Sequence, residues 1–427
     1  MSIVIDDKKI TDINISNKNV QKIVDILTGK IIFEKTSSNE YFYIENTYNG
    51  SNTISLKTTT GSGNITGPHA TQLQYSKDKK TWKTIALNGT NTIPMNSGER
   101  VYFRNDSGSF NWCVNAQDNF YTEIKCSNNH KVGGNINSLL DYNNYNVAIT
   151  PYCFYHLFYK NEYLTDANEL IFSKTSLADY CYQGMFWGCT ALTSAPALPA
   201  TTLAPYCYRY MFYNCTSLTT APSLPATTLA DYCYLGMFIG CTSLTAVPTL
   251  PATTLVGSCY NQMFYNCTAL TSAPKLPATT LADYCYTSMF DGCTSLTTAP
   301  ELPATTMQYG CYQSMFEGCT SLTSAPELPA TTMQYGCYQS MFQGCTSLTT
   351  APELPATTLA NYCYRYMFYG CRKLNSITVY ANDVSATNCT YYWLSGVASS
   401  GTFRNLGSAK YSRGESGIPT GWTEVKN

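Results

Sequence analysis

The side chains with the most chemistry to offer are the cysteines. Twenty occur in 427 residues, and sixteen of them form pairs eight apart: Cys181/Cys189, Cys207/Cys215 and six further pairs ending at Cys363/Cys371. Zinc sites gather thiolates at CxxC-like spacing, which this spacing does not provide. The favoured reading is two ladders of buried, reduced thiols. Oxidation between neighbouring rungs stays open, because rungs about 4.8 Å apart fall within the Cα separation a disulfide tolerates. The three histidines, His69, His130 and His156, sit in turn-like or capping sequence and do not recur. Surface or local hydrogen bonding is expected of them, not catalysis or metal binding.

Carboxylates are the other candidates. Between residues 181 and 388 there are eight acidic and five basic residues. Glu301, Glu327 and Glu353 occupy one repeat position, below Lys275. A row of stacked like charges is either solvated or bridged by a cation, and the solvated row is the plainer expectation. Glycoside hydrolysis needs two carboxyl groups with different roles, and so environments that push their pKa values apart. A near-identical ladder does not provide them. The stretch GSGNITG at Gly61–Gly67 lacks the Lys and the following helix of a phosphate loop. LPATT recurs seven times and resembles a sortase signal. It has Thr where that signal has Gly, and no apolar segment or basic tail follows. The sequons at Asn214 and Asn266 coincide with the repeat core. No catalytic residue, metal or cofactor is expected, and the chain reads as a non-enzyme.

These side chains are positioned by a repeat. Aligned on Cys-Tyr, CYQGMFWGCTALTSAPALPATTLAPY starts at Cys181 and copies follow every 26 residues from Cys207 to Cys337. A degenerate copy starts at Cys363, Cys389 keeps the phase, and Cys153 opens a 28-residue variant. Self-similarity at this period marks a stacked-coil architecture with atypical end units. The fixed apolar positions Cys181, Met185, Phe186, Cys189, Leu192, Leu198 and Leu203 are the expected core. Cys181 to Cys189 is expected to be a short helical or 3-10 turn, with Gly188, or Asn214 in the next copy, in the left-handed region at its end. Thr-Ser-Leu-Thr then gives a short strand ended by Pro, and Leu-Pro-Ala-Thr-Thr-Leu returns extended.

Positions that vary between copies are expected to face outward. One and two residues after Cys-Tyr, and one after Met-Phe, they supply Trp187, Arg209, Tyr210, Tyr213, Tyr265, Arg365, Tyr366 and Tyr369, with acidic and amide residues such as Asp291, Glu317 and Gln343 in the middle of the row. Exposed rings beside Arg, Asn and Gln suit sugar rings or a protein partner. These eight are the candidate ligand-binding residues.

Upstream of the repeats, residues 1–36 alternate apolar and polar like a β-hairpin module. Residues 37–150 hold runs such as EYFYIE, NTISLKTT and ERVYFRN between Gly/Asn/Ser turns, the pattern of an Ig-like or other β-sandwich. The expected organisation is therefore a mixed, β-rich chain: an attachment module over 1–36, a β-sandwich over 37–150, a right-handed leucine-rich-repeat solenoid of nine to ten coils with short parallel strands and short helical turns over 151–405, and a C-terminal cap over 406–427. Net charge is −1 and only 12% of residues are charged, so no basic field points to nucleic acid. With no signal-peptide pattern and no run of 18 apolar residues, membrane insertion is not expected.

The run LPATTLADYCYLGMFIGCTSLTAVP resembles the BspA-like leucine-rich-repeat family of bacterial surface proteins, over roughly 60% of the chain. That resemblance implies surface recognition. YSKDKKTWKTIALNGTNTIPMNSGERVYFRN looks like modules preceding such repeats in gut bacteria and their phages, and ITDINISNKNVQKIVDILTGKIIFEK is similar to N-terminal modules of phage tail and fibre proteins. Together they imply a virion protein assembled in the host cytoplasm. Its N-terminal modules would contact other virion proteins, its repeats would engage a host cell-surface glycan or protein, and it would be homo-oligomeric if it follows other projecting virion proteins. A bacterial surface adhesin is the second reading and a polysaccharide depolymerase the third.

Overall fold

The computed structural model describes residues 22–24, 31–34, 40–58, 72–87, 89–105, 113–115 and 120–426. Of the expected attachment hairpin, β1 (Lys22–Val24) and β2 (Ile31–Glu34) fall within these and pair antiparallel. Residues 1–21, His69 and the Gly61–Gly67 turn lie outside the described residues.

Two sheets follow. Their strands are β3 (Phe42–Asn46), β4 (Asn52–Thr58), β5 (Gln72–Ser76), β6 (Lys83–Ala86), β7 (Thr90–Met95), β8 (Arg100–Arg104), β9 (Cys113–Asn115), β10 (Phe120–Cys126), β11 (His130–Asn135) and β12 (Leu164–Ile171). One sheet runs β7-β4-β10-β9 and the other β12-β11-β3-β8-β5-β6. Alternation drives both: Ile54 and Leu56 of β4, and Val101 and Phe103 of β8, turn inward while their neighbours are less buried, the period-2 pattern of a strand with one face covered. Ile54, Ile93 and Ile124 from one sheet and Phe42, Ile44 and Phe103 from the other share one apolar core.

The larger sheet runs into the repeats. β11 pairs in parallel with β12, and Asp166 of β12 bridges Ser194 of the next coil. His130 locks this junction: its Nδ1 is 3.0 Å from the Asn128 carbonyl, and Asn161 Nδ2 donates to its Nε2 at 3.0 Å. Burial lowers the imidazole to about 4, so it is neutral. Across the sheet the Tyr43 hydroxyl donates to Glu169, while Arg100 and Lys131 bridge Glu45 and Glu169.

Within each coil the stretch expected to be helical is a run of overlapping β-turns. Gln183, Met185, Trp187 and Cys189 N–H donate within the coil to Tyr180, Tyr182, Gly184 and Phe186 carbonyls at 3.0–3.2 Å. Tyr182, Gly184, Phe186 and Gly188 N–H donate instead to Cys207, Arg209, Met211 and Tyr213 carbonyls of the next coil at 2.7–3.0 Å. A helix sends every N–H to its own chain; here every second one ties two coils together. Each fourth residue reverses the path through a positive φ: Tyr180, Gly184 and Gly188 at 58°, 58° and 73°, then Tyr206, Tyr210 and Asn214 at 58°, 55° and 54°. The left-handed Gly188 and Asn214 were anticipated, but they are turn corners and not helix ends. The only helix among the described residues is a four-residue 3-10 turn, Ile136–Leu139.

The expected strands shorten to single parallel bridges along two lines, for example Thr220↔Ala246 and Ser272↔Thr298 on one and Thr202↔Thr228 on the other. Prolines on either side of Leu198 and its equivalents remove donors and stop the ladders. All seven expected core positions of the first copy are buried. The column beside them is aromatic: Tyr182 and its equivalents stack at 5.7–6.2 Å to Tyr364, and Phe186 and its equivalents at 5.3–5.7 Å. Trp393 ends the tyrosine column, stacked on Tyr364 and Tyr411 and donating Nε1–H to the Gly417 carbonyl. Beyond it β13 (Ser376–Val379), β14 (Gly401–Asn405) and β15 (Trp422–Lys426) form a parallel sheet.

Candidate recognition surface

The turn run points Tyr182, Met185 and Phe186 inward, and the residues between them line up in three columns, of which Gln183 and Gly184 are buried while the arginines, the tyrosines and Trp187 reach the surface. One contains Gln183, Arg209 and Arg365; the second Gly184, Tyr210 and Tyr366; the third Trp187, Tyr213, Tyr265, Asp291, Glu317, Gln343 and Tyr369. The second column is the left-handed corner. After His156 and Tyr210 the next coil holds glycine: a Cβ on Gly184 would strike the His156 ring, and one on Gly236 the Tyr210 ring. Those two rings thus lie along the stack over bare backbone, whereas Tyr366 is followed by Tyr392, 6.1 Å from it.

Seven of the eight sequence candidates fall into two groups. Trp187 stacks on Tyr213 at 4.2 Å and meets Tyr210 edge-on at 5.3 Å; Tyr210 and Tyr213 are 5.8 Å apart at 85°. Arg209 lies over Tyr210 at 4.7 Å. His156 and Tyr159 of the first coil extend the group to Trp187. The second group is Arg365 over Tyr366 at 4.9 Å, Tyr369 edge-on to Tyr366 at 5.7 Å, and Tyr391 and Tyr392 beyond. Tyr265 makes no ring contact with either group among the described residues. Its phenol is raised by the nearby Asp291 carboxylate and by burial.

His156 is sandwiched between Tyr155 at 3.9 Å and Tyr159 at 4.6 Å, both its ring nitrogens are unpartnered, and burial lowers it to about 3. Glu301, Glu327 and Glu353 are exposed, and the Tyr380 hydroxyl donates to Glu353 at 3.3 Å. No group of three or more His, Cys, Asp or Glu close enough to hold a metal occurs among the described residues. The perturbed carboxyls are elsewhere: burial and the Glu317 charge push Asp291 up to about 7, and burial raises Glu317, which accepts from Gln343 Nε2 at 2.6 Å. Both stood in the row of variable positions, but their repeat register alone does not reveal that they are half-buried.

A second surface lay hidden in the residue just before the first Cys of each copy, which is Tyr in most of them. Tyr152, Tyr180, Tyr206 and Tyr232, each just before a Cys, stack nearly parallel at 4.5–4.7 Å, and Tyr232 and Tyr284 are exposed at 36% and 42%. In two later copies glycine takes the left-handed corner (Gly310, Gly336) and the tyrosine moves back one place to Tyr309 and Tyr335. The recurrence of tyrosine here goes with ring-on-ring stacking at the surface and not with burial in the core.

The nineteen cysteines from Cys126 to Cys389 are free and buried. Cys189 Sγ donates to the Phe158 carbonyl at 3.1 Å, Cys215 Sγ to Phe186 at 3.2 Å, and the ladder continues to Cys371. Burial pushes thiols such as Cys241 and Cys371 up to about 12, which leaves almost no thiolate near neutrality. No helix among the described residues is long and apolar enough to cross a membrane.

The family model of the BspA type leucine rich repeat region matches residues 147–297, 206–338 and 257–398, together more than half of the chain. No curated protein and no solved structure matches it.

Proposed function

The chain belongs to the BspA-type leucine-rich-repeat family, and from that premise we propose that it is a non-enzymatic recognition protein whose turn face binds a cell-surface glycan or protein. The observation that carries this is the joined aromatic surface of Trp187, Tyr210 and Tyr213 beside Arg209. Rings held edge-to-face are rigid and amphipathic, and they supply contact area at little entropic cost. The test replaces all three rings (Trp187→Ala, Tyr210→Asn, Tyr213→Ala), with Asn chosen because it tolerates the left-handed corner. With the circular dichroism spectrum unchanged, adhesion to target cells falls at least tenfold; undiminished adhesion sinks the reading.

Carriage on a phage particle, with the N-terminal modules contacting other virion proteins, is the setting we assign to it. Its support is the likeness of ITDINISNKNVQKIVDILTGKIIFEK to tail and fibre modules. Mass spectrometry of purified particles tests this, and finding the chain only in the cell envelope would make it a bacterial adhesin.

A further inference from the structure

The octapeptide YCYRYMFY occurs twice, at residues 206–213 and 362–369, six coils apart. Both copies take the same arrangement. Arg209 lies 4.7 Å from the Tyr210 ring and 5.6 Å from Tyr206; Arg365 lies 4.9 Å from Tyr366 and 5.3 Å from Tyr362. The following tyrosines stand edge-on, Tyr210 to Tyr213 at 5.8 Å and Tyr366 to Tyr369 at 5.7 Å. In both copies the arginine Nε is enclosed and has no hydrogen-bond partner. Neither guanidinium reaches a carboxylate, since the ion pairs among the described residues join other side chains. Asp231, the nearby carboxylate on this face, accepts from the Gly257 N–H at 2.9 Å.

A guanidinium resting on ring faces gains cation–π attraction, but its fork of donors still lacks the planar anion it matches. Tyrosine faces beside it suit the C–H face of a sugar ring. We infer that Arg209 and Arg365 are two equivalent subsites for the carboxylate-bearing units of an acidic polysaccharide, which binds at two points six coils apart. The inference rests on the recognition reading above and gives its ligand a chemistry. Between the subsites Asp291 and Glu317 occupy the column of Tyr213 and Tyr369. They disfavour a third anionic contact, so the chain is held at its two arginines and not continuously. At the usual spacing of parallel strands the subsites are roughly 29 Å apart along the stack.

The test uses the full chain and the variants Arg209→Gln, Arg365→Gln and the double. Homo-oligomers of a uronic acid and of sialic acid, graded in length, are titrated calorimetrically beside their methyl esters, with polyglutamate as a peptide polyanion. At least one acid series binds and its methyl ester does not. Oligomers long enough to span both subsites bind about 100-fold tighter than short ones. Each single variant removes that gain and halves the short-oligomer stoichiometry, and the double variant abolishes binding. Equal binding of methyl esters, an unaffected double variant, polyglutamate binding in place of the sugars, or no binding of any acid series overturns the inference. Loss of adhesion in the three-ring variant alongside any of these results leaves the recognition reading standing; unchanged adhesion there removes both.

Discussion

At Cys215 the sulfur does two jobs. It fills core space, and it donates to the Phe186 carbonyl, which already accepts from Cys189 N–H; the thiol takes the second lone pair. Cys215→Ala loses that bond and some packing, at a cost of about 1–2 kcal/mol in urea unfolding. A thiol reagent finds none of the nineteen cysteines from Cys126 to Cys389 reactive in native protein and all of them after denaturation. A disulfide count above zero in the denatured, unreduced chain would defeat the free-thiol ladder. The same burial sets an alkaline limit. A thiol raised in the folded state keeps its proton where the unfolded thiol has lost it, so its stabilisation is complete below the unfolded value of about 8.5. It is lost as pH climbs toward about 12, where Cys241 and Cys371 titrate. The unfolding midpoint therefore falls steeply above pH ~9. Asp291 behaves alike at lower pH: raised from 3.8 to about 7, it withdraws stability as pH rises between those values. Asp291→Asn should raise the melting temperature at pH 8 and leave it unchanged at pH 3.5; no gain at pH 8 counts against the half-buried pair. Burial of the cysteines was legible because they recur in register with Met and Phe. The S–H···O=C bonds were not, because they depend on which carbonyl lone pairs the turns leave open.

The element that resisted reading was the turn run. Cys181 to Cys189 has the length and the Met-Phe pair of a short helix, and a glycine or asparagine closes it. What distinguishes it is a period of four in corner residues, Tyr180, Gly184 and Gly188, and that signal is blurred because Tyr, Ser, Gln and His also occupy the corners. Stacking compensates for the left-handed conformation, which ordinarily costs an L-residue about 1–2 kcal/mol. Corners should therefore discriminate by side-chain shape. Gly236→Val, β-branched at φ 57° and in collision with Tyr210, should destabilise by at least about 2 kcal/mol. Asn266→Gly, at φ 57°, should stay within about 0.5 kcal/mol because both residues accept this conformation. Equal effects of the two in equilibrium unfolding would mean that the corners are not what fixes the coil.

Across the whole chain, the repeats are nearly independent units joined by nearest-neighbour terms. Every second N–H of a turn run and both bridge lines go to the adjacent coil, and the aromatic columns step from coil to coil. Stability should then change by one increment per copy. Removing residues 259–284 joins Ser258 directly to Cys285 and keeps the register of every remaining Cys, Tyr and Phe. The shortened chain should fold with an unchanged far-ultraviolet spectrum and a modestly lower melting temperature. Removing only residues 259–271 shifts the columns by half a coil, so that Ala273, Leu276 and Pro277 take the places of Tyr260, Met263 and Phe264, and the protein should not fold. The full deletion also tests function independently of fold. It leaves both YCYRYMFY copies and the Trp187 group intact but brings the two arginines from six coils apart to five. If one acidic chain spans them, single-subsite affinity stays constant while the oligomer length giving the full avidity gain shortens by about one coil, near 5 Å. An unchanged length optimum in the folded deletion variant would show that the two arginines do not share a ligand.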